Sequence, residues 1–473
     1  MHLRFVDHRL KDQPVLRDHI NFEGGRVLRL QDGCPLLLDD QFRPIEPWLT
    51  YFRVVTASTK KSSVRNYAYD ARMLASFLQS RGTDIVHANQ EDIVAYRDFR
   101  LCGTARPVSP ATWQRNTVVI KGIYALLKQQ GVLAREPWIS VGSSTPLRTG
   151  WTIEPDIKPL SRKQWLHFRD VGLAGKLPDG SMDPSWRGRN PQRSVAAAHV
   201  ALTSGMRLAE FSTLLDAEVP PPSSDGTGAS VLLGACAKYE KRRRVHLPPE
   251  TLGVVDLYRQ TERRRVARAA SAGLWKRRKD LLIVTEVDSF NSVVRGSLAG
   301  QRKTWRLHLF PPELRRIAVR ERDQGLEALG LFIGHNGLPI GSRSWHTIFA
   351  AANQRVQHVA ESEAPAALVS AVKPHDLRHT FAVVLLKSLT DLALAREADR
   401  RAGSIGPGPL SEHISVNPRL TVQRLLGHSS PETTMTYLRY IEDTDELIHQ
   451  VFESWGDETL DYSDYIAVQR TNA

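Results

Sequence analysis

Apolar positions in the first third of this chain recur with a helical period. From Ser62 onward, Val64, Tyr67, Ala68, Ala71, Leu74, Ala75 and Leu78 follow i, i+3, i+4, i+7 spacing, and the pattern stops at Gly82. This predicts an amphipathic helix. A second runs from Ser109-Pro110 through Ile120, Ile123, Tyr124 and Leu127 to Gly131, with a shorter one near Asp92 to Arg100. Together they predict a compact helical domain over residues 46–139. Ahead of it, residues 1–45 read as a small strand-containing lead-in, with Arg26–Leu30 and Pro35–Leu38 joined through a hairpin-type turn at Asp32-Gly33.

Residues 140–159 are rich in Ser, Gly, Thr and Pro and read as a linker. Ser161-Arg-Lys-Gln164 matches a capping box and opens a second domain, residues 160–455. A helix of about Gln192 to Thr203 leads into Ser204-Gly-Met-Arg207-Leu-Ala-Glu210 and a further helical stretch to Leu215. Strands at Ser230–Cys236 and Arg243–Leu247 follow, with Lys238 to Lys241 as the turn between them. Further on, His375 and Arg378 are three apart and share a face if their segment is helical. Ser430-Pro431-Glu432 has a cap, a Pro at the first position and an acid in the first turn, which predicts a helix carrying Tyr437. There is no internal repeat, heptad run or Gly-rich nucleotide loop.

At 473 residues the chain has length for two or three domains. Its apolar content of 41% is that of an ordinary soluble protein, and neither a membrane span nor an apolar signal core is expected, so the cytoplasm or the nucleoid is the expected location. Cys34, Cys102 and Cys236 lie far apart, and neither disulfide nor metal spacing is present. The net charge of +13 favours a polyanionic partner. Much of it is concentrated between Arg259 and Lys279: Arg259, Arg263, Arg264, Arg265, Arg268, Lys276, Arg277, Arg278 and Lys279 stand against Glu262 and, at the edge, Asp280. Such a block is either a solvated helix face or a nucleic-acid contact. Arg65, Arg72, Arg115 and Lys121 fall off the N-terminal apolar stripes and are expected to face DNA or only water.

Five separated motifs stand in one order: Thr203-Ser-Gly-Met-Arg207-Leu-Ala-Glu210, Lys238 in the hairpin, His375-Asp-Leu-Arg378-His379, Leu426-Gly427-His428, and Tyr437. In this order and spacing the chain resembles the tyrosine recombinase, or phage integrase, family over roughly residues 50–455. The resemblance implies a fold that is mainly α with a small antiparallel β-sheet. It implies a two-domain DNA clamp, in which a helical core-binding (SAM-like) domain accompanies a tyrosine recombinase catalytic domain. Insertions near 259–328 and 390–418 depart from the family pattern, and the second, with Gly403-Ser-Ile-Gly-Pro-Gly-Pro409, reads as a flexible surface excursion.

The resemblance also implies the chemistry. Arg207 and Arg378 would stabilise the charge that grows on a phosphodiester, since guanidinium grips phosphate oxygens in a bidentate way. His375 and His428 would add hydrogen bonds, with His375 also helping to move the tyrosine proton. Tyr437 would be the nucleophile, with Tyr440, Tyr462 and Tyr465 as competitors. Lys238, or alternatively Lys241, would protonate the leaving oxygen, and Glu210 would orient the active-site side chains. No cofactor or metal is implied. The partners implied are double-stranded DNA, a homo-tetramer on two DNA sites and accessory recombination proteins. An apolar stripe of Leu447, Ile448, Val451, Phe452 and Trp455 would dock on a neighbouring subunit or pack in cis, ahead of a tail at 456–473. The alternatives are a Xer-like chromosome or plasmid resolvase, a tyrosine-type topoisomerase, and a catalytically silent DNA-binding module.

Overall fold

The structure, a computed structural model, describes residues 1–7, 30–104, 107–142, 144–149, 157–288, 292–298, 300–323, 325–363, 371–402 and 417–438. The described residues are mainly helical with three small sheets, and the chain divides into two compact units, Met1–Glu154 and Pro155–Ala473. No helix among the described residues is long and apolar enough to cross a membrane.

Among the described residues of the first unit, β1 (His2–Phe5) pairs antiparallel with β2 (Pro35–Leu38) beside the helices α1 (Glu46–Ser58), α2 (Lys61–Ser80), α3 (Gln90–Leu101) and α4 (Pro110–Gln129). The strand partner differs from the Arg26–Leu30 hairpin expected from sequence, most of which lies outside the described residues. The turn at Asp32-Gly33 does form, with Gly33 at φ +83°. Helices α2 and α4 follow the predicted stripes, burying Val64, Ala68, Ala71, Leu74 and Leu78 against Ile120, Ile123, Tyr124 and Leu127. Asn89 and Ser109 cap α3 and α4 by accepting from the Asp92 and Thr112 amides. Helix α1 has aromatic residues Trp48, Tyr51 and Phe52 on its buried face.

Several basic residues of this unit are already engaged. Arg115 forks onto the buried Asp70 at 2.6 and 3.1 Å, while Arg65 and Arg72 lie over the rings of Phe5 and Tyr69. Part of the expected linker is also packed. Leu147 is buried, its carbonyl accepts from Trp113 Nε1 at 2.9 Å, and the Pro146 carbonyl accepts from Arg97.

The second unit opens with α5 (Arg162–His167) behind the predicted Ser161/Gln164 capping box, running into a π-helical stretch, Phe168–Leu173. Then come α6 (Pro191–Ser204), α7 (Leu208–Phe211), and the antiparallel pair β3 (Ala229–Leu233) and β4 (Arg243–Leu247), closed by a 3-10 turn at Lys238–Glu240. A core of Phe168, Ala197, Val200, Phe211, Leu233, Val245, Val255 and Trp345 joins these elements.

The expected insertion at 259–328 is ordered structure. The rod begun by α8 (Pro249–Tyr258) passes through a π turn, Arg259–Arg263, into α9 (Arg264–Lys276). A five-stranded sheet follows, β5 (Leu282–Asp288), β6 (Val293–Leu298), β7 (Gln301–Arg306), β8 (Ala318–Arg322) and β9 (Gly325–Ala328), in the order β7-β6-β5-β8-β9. Its β5–β8 pair is parallel, so the sheet content is larger and more mixed than the small antiparallel sheet expected. A short helix α10 (Pro312–Arg315) places Arg315, 1% exposed, against Glu218 and the carbonyls of Phe310, Leu307 and Thr213. This buried fork ties the insertion to the segment that follows α7.

Helices α11 (Ser342–Glu363) and α12 (Pro374–Arg401) complete the frame with α13 (Pro418–Leu426) and α14 (Glu432–Met435). Residues 390–401, expected to begin a flexible excursion, are instead the last turns of α12, and 403–416 lie outside the described residues. Tyr437, expected on a helix, stands in the turn just after the four-residue α14. Tyr440, Tyr462, Tyr465 and the 447–455 stripe lie outside the described residues.

Candidate active site

Two helices end on glycine at this site, and both present carbonyls to one guanidinium. Helix α6 stops at Gly205 (φ +62°) and α13 at Gly427 (φ +66°), left-handed conformations that glycine adopts without penalty. Arg378, on the first turns of α12 and 1% exposed, donates to the Gly205 carbonyl and, at 2.6 Å, to the Leu426 carbonyl. The carbonyl ends of helices carry partial negative charge, so this position suits a buried cation. Burial, and then the charge of Arg207, lowers Arg378 to about 9, which leaves it charged at neutral pH.

Arg207 is the residue before α7 and is itself anchored. Its amide donates to Glu210 Oε2 at 2.6 Å and its side chain to Oε1 at 3.3 Å. Glu210 is almost wholly buried and takes a bidentate fork from Arg243 at 2.8 and 2.6 Å. Burial alone would raise the Glu210 carboxyl. The hydrogen bonds and charge of Arg243, with the Arg207 amide, hold it below the ordinary glutamate value. Arg243 Nε also donates to the Leu425 carbonyl at 2.9 Å, so one strand residue links α7 to the end of α13. Arg243 belongs to none of the five sequence motifs. Its signal is the period of β4: Arg243 shares the inward face with Val245 and Leu247, an arginine where the alternation calls for an apolar side chain.

His428 follows Gly427 and is buried. Its Nδ1 lies 2.9 Å from Thr434 Oγ1, and its Nε2 lies 3.3 Å from an Arg378 nitrogen. A guanidinium can only donate, so Nε2 accepts and Nδ1 carries the proton. Burial, and then the charges of Arg378, Arg207 and Arg243, hold His428 at about 3, in agreement with that neutral tautomer.

Tyr437 is 3% exposed, and its ring packs with Ala382, Leu386, Val422 and Leu426. It stacks on His428, with centroids 6.0 Å apart and planes 9° from parallel. Its hydroxyl meets His379 Nδ1 at 3.0 Å. Burial pushes the phenol above the ordinary tyrosine value, and the charges of Arg378 and Arg207 pull it part of the way back.

His375, expected to handle the tyrosine proton, does not hold that hydroxyl. It packs on His379 one turn on in α12, with centroids 4.4 Å apart, and the ring nitrogen at Tyr437 belongs to His379. His375 is exposed, yet packing and the charges of His379, Arg378 and Arg207 lower its pKa; for an open ring the neighbouring charges carry that direction. His379 was visible in the sequence only as the residue after Arg378, and its i, i+4 spacing from His375 was the available signal.

The site thus gathers Arg207, Arg378, His375, His428 and Tyr437, with Glu210 beneath them. Of the two candidate lysines, Lys241 is tied in, its Nζ donating to the His428 carbonyl at 3.3 Å. Lys238 stands exposed at the tip of the same turn. Beside the site, Lys241, Arg242, Arg244, His246 and Arg424 line a groove of about 700 Å³. Among the described residues no group of His, Cys, Asp and Glu could hold a metal ion.

No protein-family model matches the chain, and no curated protein matches it in sequence. Solved structures do match. A XerH site-specific recombinase bound to a palindromic difH substrate shares 13% identity, with 85% of this chain and 83% of that chain covered and a TM-score of 0.48. The Tn1549 transposon integrase with a circular-intermediate DNA shares 15%, covering 82% of this chain and 93% of that one, with a TM-score of 0.44. A lambda integrase dimer on a COC′ core site shares 10%, covering 84% and 75%, with a TM-score of 0.42. Each of these likenesses extends over more than four fifths of this chain, at 10–15% identity.

Proposed function

We propose that this protein is a site-specific DNA recombinase that cuts and rejoins DNA through a 3′-phosphotyrosine. The observation that carries this reading is the Tyr437 hydroxyl, held by His379 at 3.0 Å in a pocket that also contains Arg378, Arg207 and His428. A tyrosine serving only the core has no need of two guanidiniums acting on its phenol. A guanidinium pair beside a hydroxyl suits a tetrahedral anion about to be attacked.

In this mechanism Arg207, Arg378 and His375 bind the non-bridging oxygens of the scissile phosphodiester, with His428 holding Arg378 in place. The Tyr437 oxygen forms a bond to phosphorus, and its proton passes to His379. The bond from phosphorus to the 5′-oxygen breaks, and that oxygen takes a proton from Lys238 at the hairpin tip. A second 5′-hydroxyl then reverses the sequence on the 3′-phosphotyrosine, returning the proton to Tyr437. Bond energy is kept in the ester, so no nucleotide is consumed. The reading extends to exchange between two DNA sites by a homo-tetramer, as in an integrase or transposase of a mobile element.

The experiment is covalent capture: the protein is mixed with fragmented DNA from its source, denatured, and its linked ends are sequenced beside Tyr437→Phe. A narrow set of ends, from the native protein only, supports the reading. Joined products of exchanged sites separate recombination from mere relaxation of supercoils, which is what a topoisomerase would give.

A further inference from the structure

The basic block between Arg259 and Lys279 resolves into two groups with different fates. Arg259 and Arg263 turn inward at the π turn. Arg259 meets Asp216 at 2.7 Å, and Arg263, buried, meets Glu327 at 2.5 Å together with the carbonyls of Leu331, Ala328 and Gly330. Arg278 lies over the Trp275 ring at 4.4 Å and reaches Glu321 at 3.5 Å. The remaining six, Arg264, Arg265, Arg268, Lys276, Arg277 and Lys279, are all exposed, and none forms an ion pair with a described residue.

Their arrangement follows from the helix. Val266, Ala267 and Leu274 face inward onto Leu281, Val319, Leu326 and Ile333, and Ala270 is buried. At 3.6 residues per turn, Arg264, Arg265, Arg268, Trp275 and Lys276 then fall within an arc of about 120° on the opposite side. Arg277 and Lys279 continue the charge just past the last turn. Arg264 and Arg268 are i, i+4 and Arg265 and Arg268 i, i+3, so the stripe repels itself. A solvated helix face relieves such repulsion by interspersing acids, yet no Asp or Glu occurs between Arg263 and Lys279. Trp275 remains 40% exposed within the arc, between Arg264 and Arg268.

We propose that the outer face of α9 is a second DNA-binding surface, which takes the phosphate backbone of duplex DNA outside the segment held at the active site. The stripe from Arg264 to Lys276 is about 18 Å long at 1.5 Å per residue, which matches roughly five base-pair steps at 3.4 Å each. Recognition is of backbone charge, so the surface is indifferent to sequence. The inference goes beyond the proposed reaction, because binding here needs neither Tyr437 nor strand cleavage.

The test uses the full chain carrying Tyr437→Phe, so that covalent trapping contributes nothing, and a 40-base-pair duplex of arbitrary sequence. Affinity is measured across potassium chloride concentrations, with and without the six changes Arg264→Gln, Arg265→Gln, Arg268→Gln, Lys276→Gln, Arg277→Gln and Lys279→Gln. Each phosphate contact contributes about 0.9 to the slope of log affinity against log salt, so the slope falls by about 3 to 5 in the six-fold variant. A slope unchanged within 1 overturns the proposal. A second measurement needs no variant: acetylation of Lys276 and Lys279 in the native protein drops several-fold when the duplex is added. Equal acetylation with and without duplex, or protection by phosphatidylglycerol vesicles and not by DNA, overturns it. Failure of covalent capture by Tyr437 would sink the proposed reaction and leave these two results standing.

Discussion

His379 Nδ1 and the Tyr437 hydroxyl lie 3.0 Å apart, and this contact joins the first turns of α12 to the turn after α14. The phenol is otherwise packed among apolar side chains that hold its pKa up, so the nitrogen beside it is the natural recipient of its proton. His379→Ala lowers the single-turnover cleavage rate by about 10²- to 10⁴-fold, the usual worth of a positioned base, with little change in DNA affinity. His375→Ala weakens phosphate binding and cleavage together. Equal and small effects from both would remove His379 from the proton path.

Arg378 serves two helix ends and the proposed phosphate at once. Arg378→Lys cannot reproduce a planar fork, so it loses at least about 10²-fold in cleavage and also leaves helix-end carbonyls without donors. Chemical denaturation of this variant shows a stability loss of about 1 to 3 kcal/mol. A lysine variant as active and as stable as the native protein would contradict the double role.

Glu210 and Arg243 form a buried ion pair, and each is costly without the other. Arg243→Ala leaves a buried carboxylate short of partners and costs about 3 to 5 kcal/mol, as breaking buried pairs generally does. The double variant Glu210→Gln, Arg243→Met recovers part of that loss and still cleaves slowly, because Arg207 keeps only one of its two acceptors and loses the carboxylate charge. Strict additivity in urea unfolding would show that the pair does not act as a unit.

The depressed pKa of His428 predicts acid sensitivity of a definite sign. Its folded value, about 3, lies below the unfolded value near 6.5, so the unfolded chain binds the extra proton as pH falls. Above about 6.5 there is no penalty; below it, stability declines by up to about 1.4 kcal/mol per pH unit for this one group. Unfolding midpoints between pH 7.5 and 5 therefore fall less steeply in His428→Gln than in the native protein. Parallel curves would show that His428 is not held neutral.

The proton donor is tested with a substrate whose leaving 5′-oxygen is replaced by sulfur, which departs without protonation. Lys238→Ala is slow on the ordinary duplex and restored on the sulfur one, whereas Lys241→Ala, which removes the contact to the His428 carbonyl, is slow on both. Rescue of Lys241→Ala alone would exchange the two assignments.

Helices with a clean apolar stripe and a chemical stop were legible in the sequence, as α2, α4 and α6 illustrate. The five-stranded sheet was not. Strand β7 is exposed along nearly all its length, and β8 runs from Ala318-Val319 straight into Arg-Glu-Arg, so neither offers an alternating pattern. The motif residues Arg207, Arg378, His428 and Tyr437, which the structure brings together, stood out in the sequence, while the parts of Arg243 and His379 in that cluster did not. Arg243 is buried by a carboxylate distant in sequence, and His379 meets Tyr437 only because α12 and the turn after α14 fold together. Such pairings are set by tertiary contact, so the local signals, an inward arginine on β4 and an i, i+4 histidine pair, do not name the partner.

The most direct measurement is mass spectrometry of the protein–DNA adduct formed on a duplex nicked near the scissile site, so that the short cleaved strand diffuses away and religation is prevented. The expected product is a nucleotide attached through phosphate to the peptide containing Tyr437, with no adduct from Tyr437→Phe. An adduct on another tyrosine, or none on any duplex that the protein binds, would contradict it.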